Sequence, residues 1–346
     1  MMNRKDKIVA ISLFSGCGGL DIGAHLAGVP VVACIEHDSD SIKTLSLNPQ
    51  FSRASLFLED VRNFTKKRLL SLVPKDSKKL IVIGGPPCQP FSKAGYWITN
   101  NKRKIDKDPR NMVSEFFRVV NDLQPSGFIF ENVESLLHPT NKHTIDMILE
   151  LASKMKYNVF FLAANALDYG VPQKRKRIFI IGSKNKFKKG DAPTKTHANP
   201  NVALDIGLIP HESVKKHLKP YEGKRFFEPE EVVKGKTYGT DLTKIPPGKN
   251  YMVLSEKFTK GKRFWNFLLK LHPDLPSWTI AAQPGPWVGP FHWQNRRLRI
   301  PEIAALQTFP SDYKFFGSRR SVQRQIGNAV PVKMAKAVTE FLVRNI

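Results

Sequence analysis

The sequence predicts an α/β fold in which a doubly wound domain carries a smaller, mostly irregular or β-rich domain as an insertion. Between residues 8 and 183, short apolar runs rich in β-branched residues alternate with amphipathic stretches. That rhythm stops after Ser183, where a lysine-rich stretch opens a region rich in proline, glycine and aromatic residues. Helical spacing then returns at residues 302–307 and 332–342. A chain of 346 residues is long enough for both domains.

The predicted strands occupy the apolar runs, and the predicted helices occupy the stretches between them. The strands are residues 8–14, 31–36, 80–85, 128–133 and 177–182. The helices are residues 20–27, 39–47, 111–123 and 142–155, and Gly28 marks the end of the first. Because strands alternate with helices, we expect a parallel sheet covered on both faces. Functional side chains in such sheets gather at the carboxyl ends of the strands.

Charge indicates the kind of partner. The chain has 55 Lys and Arg against 30 Asp and Glu, a net charge of +25. Such a surface attracts polyanions, and we favour nucleic acid over a cationic surface kept only for solubility. No apolar run approaches the roughly 18 residues of a membrane-spanning helix. The three cysteines have no metal-like spacing, which indicates a reducing compartment and no metal site.

A glycine-rich turn joins the first predicted strand to the first helix. Gly16 and Gly18 resemble a dinucleotide fingerprint, but Asp21 stands where its third glycine is required. A carboxylate in the first helical turn repels a bound pyrophosphate. A nucleoside with a cationic sulfonium and no phosphate avoids that conflict, which favours S-adenosylmethionine over NAD and disfavours a dehydrogenase.

Two acidic residues are candidate ligands of that nucleoside. Glu36 ends the second strand, twenty residues after Gly16 (36 − 16 = 20), where a carboxylate can accept hydrogen bonds from both ribose hydroxyls. Asp60 follows a short apolar run and is placed to accept from the adenine amino group. Either acid, taken alone, is equally well explained as a helix cap or a solvated charge.

A second candidate site surrounds a cysteine. Residues 84–91 read Gly-Gly-Pro-Pro-Cys-Gln-Pro-Phe, so prolines hold Cys88 at the carboxyl end of a strand. A lone cysteine is more often buried and inert, and the prolines are what favour a nucleophile. Glu131 ends the next strand, and Arg175 and Arg177 share a face just before the last one. The basic residues 93–107 are interpreted as a loop that closes over a phosphate backbone, or else as a solvated linker.

These residues resemble the DNA cytosine-5 methyltransferase family. The resemblance lies in six motifs, in this order: Phe14-Ser15-Gly16-Cys17-Gly18-Gly19, Pro86-Pro87-Cys88-Gln89, Glu131-Asn132-Val133, Gln173-Lys174-Arg175-Lys176-Arg177, Leu306-Gln307-Thr308-Phe309-Pro310 and Gln325-Ile326-Gly327-Asn328-Ala329-Val330-Pro331. The resemblance implies a Rossmann-like S-adenosylmethionine-dependent methyltransferase domain at residues 1–183 plus 320–346. It also implies that residues 184–319 form the target-recognition domain.

The resemblance implies roles for individual residues. Catalysis would use Cys88 as nucleophile, Glu131 at N3 and the amino group of cytosine, Arg177 at O2, and Arg175 to orient Glu131 or the base. The cofactor would contact Phe14, Gly16, Gly18, Gly19, Leu20, Glu36, Asp60, Val61, Pro86, Asn328 and Val330. From the residues themselves, we expect DNA to contact Gln89, Ser92, Lys93, Arg296 and Arg297, and the basic string at residues 296–299 suits phosphate better than base edges.

The expected function is methyl transfer from S-adenosylmethionine to carbon 5 of a cytosine flipped out of double-stranded DNA, leaving S-adenosylhomocysteine. We expect a cytoplasmic, nucleoid-associated prokaryotic monomer that protects sites from a cognate restriction endonuclease without binding it stably. Two alternatives stay open: a tRNA cytosine-5 methyltransferase of the same fold, which the long insert before Leu306 disfavours, and a non-catalytic DNA-binding relative, which the presence of Cys88, Glu131 and Arg177 disfavours.

Overall fold

A computed structural model describes residues 8–87, 112–223, 239–254, 267–285 and 287–346. The chain divides into two compact units. The first comprises Met1–Asn165, Lys176–Thr194 and Met334–Ile346, and the second comprises Ala166–Arg175 and Lys195–Lys333. These limits differ from the predicted domain limits, since residues 166–175 and 320–333 group with the second unit and residues 184–194 with the first. The boundary between catalytic and recognition domains stays a prediction.

A seven-stranded sheet forms the centre of the first unit, in the order β3-β2-β1-β4-β5-β7-β6. Its strands are β1 (Ile8–Leu13), β2 (Val31–Glu36), β3 (Ser55–Leu58), β4 (Lys79–Gly84), β5 (Gly127–Val133), β6 (Asn158–Asn165) and β7 (Lys176–Ser183). Strands β1 to β5 pair in parallel. The predicted α/β fold is confirmed, and each of the five predicted strands ends within about one residue of the observed one.

The prediction of an all-parallel sheet is wrong at β7, which runs antiparallel to both β5 and β6. Only residues 166–175 connect β6 to β7. A parallel crossover needs about a dozen residues or more, whereas an antiparallel return does not. The first residues of β7 therefore lie at the edge where β5 ends, with Arg177 opposite Val133 and Phe179 opposite Glu131.

Helices pack on the sheet of the first unit, and mostly shorter helices occur in the second unit. In chain order they are α1 (Gly19–Leu26), α2 (Ser39–Ser46), α3 (Lys66–Ser71), α4 (Val113–Leu123), α5 (Lys142–Lys154), α6 (Pro200–Ala203), α7 (Val214–Leu218), α8 (Gly239–Lys244), α9 (Ile300–Leu306), α10 (Arg319–Asn328) and α11 (Val332–Arg344). In the described ranges, no helix is both long and apolar enough to span a membrane.

Aromatic side chains fill the core between α4 and the sheet. Phe116 and Phe117 of α4 pack against Phe128 and Phe130 of β5, with ring centroids 5.3–6.1 Å apart. All four are buried. Each such side chain contributes about 1.5–3 kcal/mol through burial, so this cluster anchors the strand that ends at Glu131.

The C-terminal helix α11 completes the first unit. Gly23 of α1 lies so close to it that a Cβ there would stand 2.3 Å from the Cβ of Ala335. Phe341 stacks on Phe187 at 5.5 Å and lies 4.7 Å from Phe160 of β6. Glycine at position 23 therefore permits the close packing that holds the helix behind the glycine-rich turn.

The second unit is largely irregular in its described parts. Two short strands, β8 (His197–Ala198) and β9 (Ile209–Pro210), form a two-stranded parallel sheet. A small core consists of Leu242, Ile245, Tyr251, Leu268 and Phe291. The second unit is built differently from the first, and helices α6 to α10 give it more helix than the composition suggested.

Candidate active site

The turn between β1 and α1 is open on its outer side. Phe14, Gly16 and Gly18 have left-handed φ values of 55°, 54° and 81°. A Cβ built on Gly16 would meet nothing within 4 Å, so a ligand can approach this backbone closely. The turn leads directly into Gly19 and Leu20, the first residues of α1.

Backbone amides hold Glu36 against this turn. Its Oε2 accepts from Gly16 N at 2.8 Å, and its Oε1 accepts from the amides of His37 and Asp38 at 2.8 and 2.9 Å. The residue is only 6% exposed. The Glu36 carboxylate is therefore fixed at the end of β2, where the sequence predicts a residue that binds the ribose. A carboxylate oxygen that accepts one hydrogen bond from the backbone can accept a second from a ribose hydroxyl.

Asp21 lies deep in the first turn of α1, with 1% of its surface exposed. Burial raises the pKa of its carboxyl group to about 6. The Cys34 thiol donates to its Oδ1 at 3.6 Å, while no described residue donates a hydrogen bond to its Oδ2. This acid is thus a buried group, shielded from solvent.

Asp60 has a local partner. It accepts from Arg62 N at 2.9 Å and from the Arg62 guanidinium at 3.0 and 2.6 Å, which caps the short 3-10 helix that begins at Val61. The hydrogen bonds from Arg62 hold the pKa of Asp60 below its ordinary value. The geometry supports the cap that the sequence left open as an alternative, and the adenine contact stays a prediction.

A carboxylate and a guanidinium meet at the carboxyl edge of the sheet. Arg177 Nε lies 3.0 Å from Glu131 Oε1, and the two side chains are 12% and 10% exposed. A further Arg177 nitrogen, Nη1, donates to the Lys176 carbonyl at 2.7 Å. Sequence reasoning predicted both residues for one site, and the antiparallel direction of β7 is what brings them together.

Two neighbours of this pair were not predicted. A Cβ at Gly85 would stand 2.6 Å from Glu131 Oε2, so only glycine leaves room for the carboxylate. Asn132 donates to the Pro86 carbonyl at 3.4 Å and accepts from Val133 N at 2.9 Å, which ties the end of β5 to the proline turn. The pair of glycines before the two prolines is the sequence feature from which the role of Gly85 could have been predicted.

The predicted nucleophile follows directly after this turn. Cys88, Gln89, Ser92 and Lys93, together with the predicted loop at residues 93–107, lie outside the described residues. Pro86 is described, and its carbonyl faces Asn132. The Glu131–Arg177 pair is therefore built beside the turn that leads into Cys88.

Arg175 is engaged within the second unit. Its guanidinium is fully buried and donates to the carbonyls of Gly327 at 2.6 Å and Ala329 at 3.0 Å. These carbonyls belong to the C-terminal end of α10, which carries Asn328, and precede Val330. Arg175 thus satisfies the last carbonyls of a helix. The prediction was that Arg175 orients Glu131 or the base, whereas the contacts observed for its guanidinium close the end of α10. The predicted role stays a prediction.

Arg296 and Arg297 differ sharply despite being adjacent. Arg296 is 8% exposed and forms two hydrogen bonds with Glu302, at 2.8 and 2.7 Å. Burial disfavours the charge on Glu302, but hydrogen bonds from Arg296 and from Arg299 N outweigh this, so its pKa lies below the ordinary value. Arg296 therefore differs from the prediction of a phosphate contact, because its guanidinium is used inside the unit. Arg297 is partly exposed.

The described ranges contain no cluster of three His, Cys, Asp or Glu residues suited to a metal ion. What they do contain is a sheet edge with two neighbouring features: an open glycine turn backed by a fixed carboxylate, and a buried Glu–Arg pair beside a proline turn. This arrangement suits a nucleoside cofactor and the polarisation of a planar, hydrogen-bonding substrate.

Comparison with known proteins shows the family to which the chain belongs. The family model for C-5 cytosine-specific DNA methylases matches residues 8–344. Type II methyltransferase M.SacI of Streptomyces achromogenes is 36% identical, over 98% of this chain and 94% of that protein. Type II methyltransferase M1.HphI of Haemophilus parahaemolyticus is 33% identical, over 96% and 86%. The S. pombe Dnmt2 methyltransferase shares the fold at a TM-score of 0.65 and 16% identity, over 97% and 98%. The chain belongs to the C-5 cytosine-specific DNA methylase family.

Proposed function

We propose that this DNA cytosine-5-methyltransferase acts through Cys88, Glu131 and Arg177 on a cytosine flipped out of a specific double-stranded DNA sequence. The observation that carries the proposal is the buried Glu131–Arg177 pair, with its 3.0 Å contact, beside the proline turn that precedes Cys88. The proposal extends to a role beside a cognate restriction endonuclease that needs no stable complex, because the relatives are Type II methyltransferases.

The glycine turn and Glu36 are suited to hold S-adenosylmethionine. Gly16 leaves its outer side open, and Glu36 is fixed by three backbone amides with its carboxylate oxygens at the turn. A neutral ribose can share those oxygens, whereas a pyrophosphate would be repelled by them. When bound, this cofactor supplies a methyl group to carbon 5 and leaves as S-adenosylhomocysteine.

The residues of the chain activate the ring. The Cys88 thiolate adds to carbon 6, and the electron pair of the 5,6 double bond becomes available at carbon 5. Glu131 as the carboxylic acid donates a proton or hydrogen bond at N3 and regains any proton it gave when the double bond is restored, and Arg177 donates to O2. Both stabilise the negative charge that develops in the ring. Their mutual contact holds each donor in position before the base arrives. After methyl transfer, loss of the carbon 5 proton restores the double bond and expels the thiolate.

The cytosine reaches these groups only outside the base stack. Flipping it costs a few kcal/mol, which contacts between a cationic protein and the DNA backbone offset. The net charge of +25 suits that task. We propose the second unit as the main source of target recognition, and a monomer as the active form. The Type II names of the relatives favour DNA over tRNA as substrate.

The test is transfer of a labelled methyl group to duplex DNA and to tRNA. We expect label in DNA only, and bisulfite sequencing of DNA from expressing cells would identify the methylated site. Cys88→Ser should abolish transfer while cofactor binding persists. Glu131→Gln should lower kcat about a hundredfold or more at an unchanged cofactor affinity. Transfer by the Cys88→Ser protein at the wild-type rate would refute the covalent mechanism.

A further inference from the structure

Three arginines of the second unit line one cavity of about 250 Å³. They are Arg297, which follows the buried Arg296, and Arg319 and Arg320, the first two residues of α10. Gln283 and Gln323 lie in the same wall. The described lining includes no Asp or Glu, so its charge comes from guanidinium groups alone.

Local contacts orient two of these arginines. Arg319 Nη2 donates to the Leu298 carbonyl at 2.7 Å, and its Nη1 donates to Gln323 Oε1 at 3.2 Å. The Arg297 guanidinium lies 5.7 Å from the ring centroid of Phe291, a cation–π contact. Such contacts reduce the side-chain entropy that would be lost when a ligand binds. The third, Arg320, is exposed.

This placement of charge is unfavourable for folding. The N-terminal end of a helix carries a partial positive charge, so cations there destabilise it by a few tenths of a kcal/mol or more. Arg319 and Arg320 occupy the first two positions of α10, and Arg297 adds a third like charge to the cavity. A local arrangement that opposes stability is typical of a functional site, because a bound anion would reverse all three penalties.

We propose that this cavity binds a backbone phosphate of the DNA duplex. The inference rests on the proposed function, in which double-stranded DNA is the substrate. Guanidinium groups match the geometry of phosphate oxygens and can donate two hydrogen bonds at once. A base edge is neutral and cannot offset three positive charges, so phosphate suits the cavity better. The contact fixes the register of the protein on the duplex and does not read sequence.

Arg320→Gln is the main test variant, because Arg320 is exposed and no hydrogen bond or ion pair joins its side chain to a described residue. We therefore expect it to leave the fold unchanged. Arg53→Gln is the matched control, an exposed arginine of the first unit. The affinity for a cognate and a non-cognate duplex is measured between 50 and 200 mM salt. Arg297→Lys is the second variant, since it keeps the charge but loses the two-pronged donor.

For Arg320→Gln we expect roughly fivefold weaker binding of both duplexes. The slope of log affinity against log salt should fall in magnitude by about 0.9, the value of one phosphate contact. Arg297→Lys should keep the slope and weaken binding, and Arg53→Gln should match the wild type. A slope for Arg320→Gln equal to that of Arg53→Gln would overturn the proposal. So would a loss confined to the cognate duplex, because that indicates a base contact.

The methylation assay separates this inference from the proposed function. If Arg320→Gln changes the salt slope of duplex binding as expected but the wild-type protein transfers no methyl group, the enzymatic proposal fails and the phosphate cavity stands. If methyl transfer is normal while the slope is unaffected by Arg320→Gln, the cavity assignment fails and the enzymatic proposal stands.

Discussion

Gly85→Ala should lower the rate of methyl transfer strongly while changing the free energy of unfolding little. The added Cβ would lie 2.6 Å from Glu131 Oε2, whereas ordinary contacts begin near 3.4 Å. The carboxylate must therefore move by about 0.8 Å (3.4 − 2.6), which disturbs its 3.0 Å contact with Arg177. The clash involves the end of a flexible side chain, so we expect a loss of less than about 1 kcal/mol in the free energy of unfolding. A misplacement near 1 Å costs about a hundredfold in rate.

Single-turnover methyl transfer to a duplex containing the target site measures this effect, with cofactor affinity and urea unfolding measured in parallel. We expect the rate to fall about a hundredfold while the other two quantities stay near wild type. Combining Gly85→Ala with Glu131→Gln gives a double-mutant cycle, and the second change should add little to the first. A rate within threefold of wild type, or full additivity in the cycle, would refute the reasoning.

Three further predictions concern buried carboxylates. Glu36→Gln should weaken S-adenosylmethionine binding at least about tenfold by calorimetry, because charge-assisted acceptors are lost at the turn, and an unchanged Kd would contradict its role. Arg296→Met should lower the free energy of unfolding by about 3–5 kcal/mol by leaving Glu302 buried and unpaired, whereas Arg296→Met with Glu302→Leu should recover most of it in urea titrations. Burial raises the pKa of Asp21 from 3.8 to about 6, so between these values the folded chain keeps a proton that the unfolded chain has lost. Stability should therefore fall by about 2 kcal/mol as pH rises from 4 to 6, and Asp21→Asn should remove that slope.

Apolar runs predicted the parallel part of the sheet well, because β1, β4 and β5 are buried on both faces. Strands β3 and β6 were missed. Both are edge strands whose residues are largely half-buried or exposed. The apolar run of β3 is only three residues long, whereas β6 has a continuous apolar run at residues 159–164 that the prediction did not use. The hydrophobic pattern did not predict the direction of β7 either. That direction depends on how short the connection from β6 to β7 is, and the sequence pattern does not show whether residues 166–175 form a crossover helix.

The candidate site shows the same limit at the level of single side chains. Arg175 and Arg177 share a motif, yet one caps α10 and the other contacts Glu131. Arg296 and Arg297 are neighbours, yet only the first is paired with Glu302. A charge run predicts that positive groups are present. Which of them is buried depends on tertiary partners many residues away, as with Arg175 and the carbonyl of Gly327.

The compact units are interleaved along the chain, and this limits how the second unit, the proposed source of target recognition, can be exchanged between relatives. The second unit consists of residues 195–333 plus the separate segment 166–175. Within it, Arg175 closes the end of α10, and Gln173 donates to the carbonyl of Leu306 at 3.1 Å and accepts from Ile280 N at 3.1 Å. In a chimaera that receives residues 195–333 alone, the host's own segment 166–175 would have to form the hydrogen bonds to these buried backbone groups. Transplanting both segments together keeps each hydrogen-bond donor with its own acceptor. Such an exchange needs four junctions in the chain, two more than the exchange of a single inserted segment.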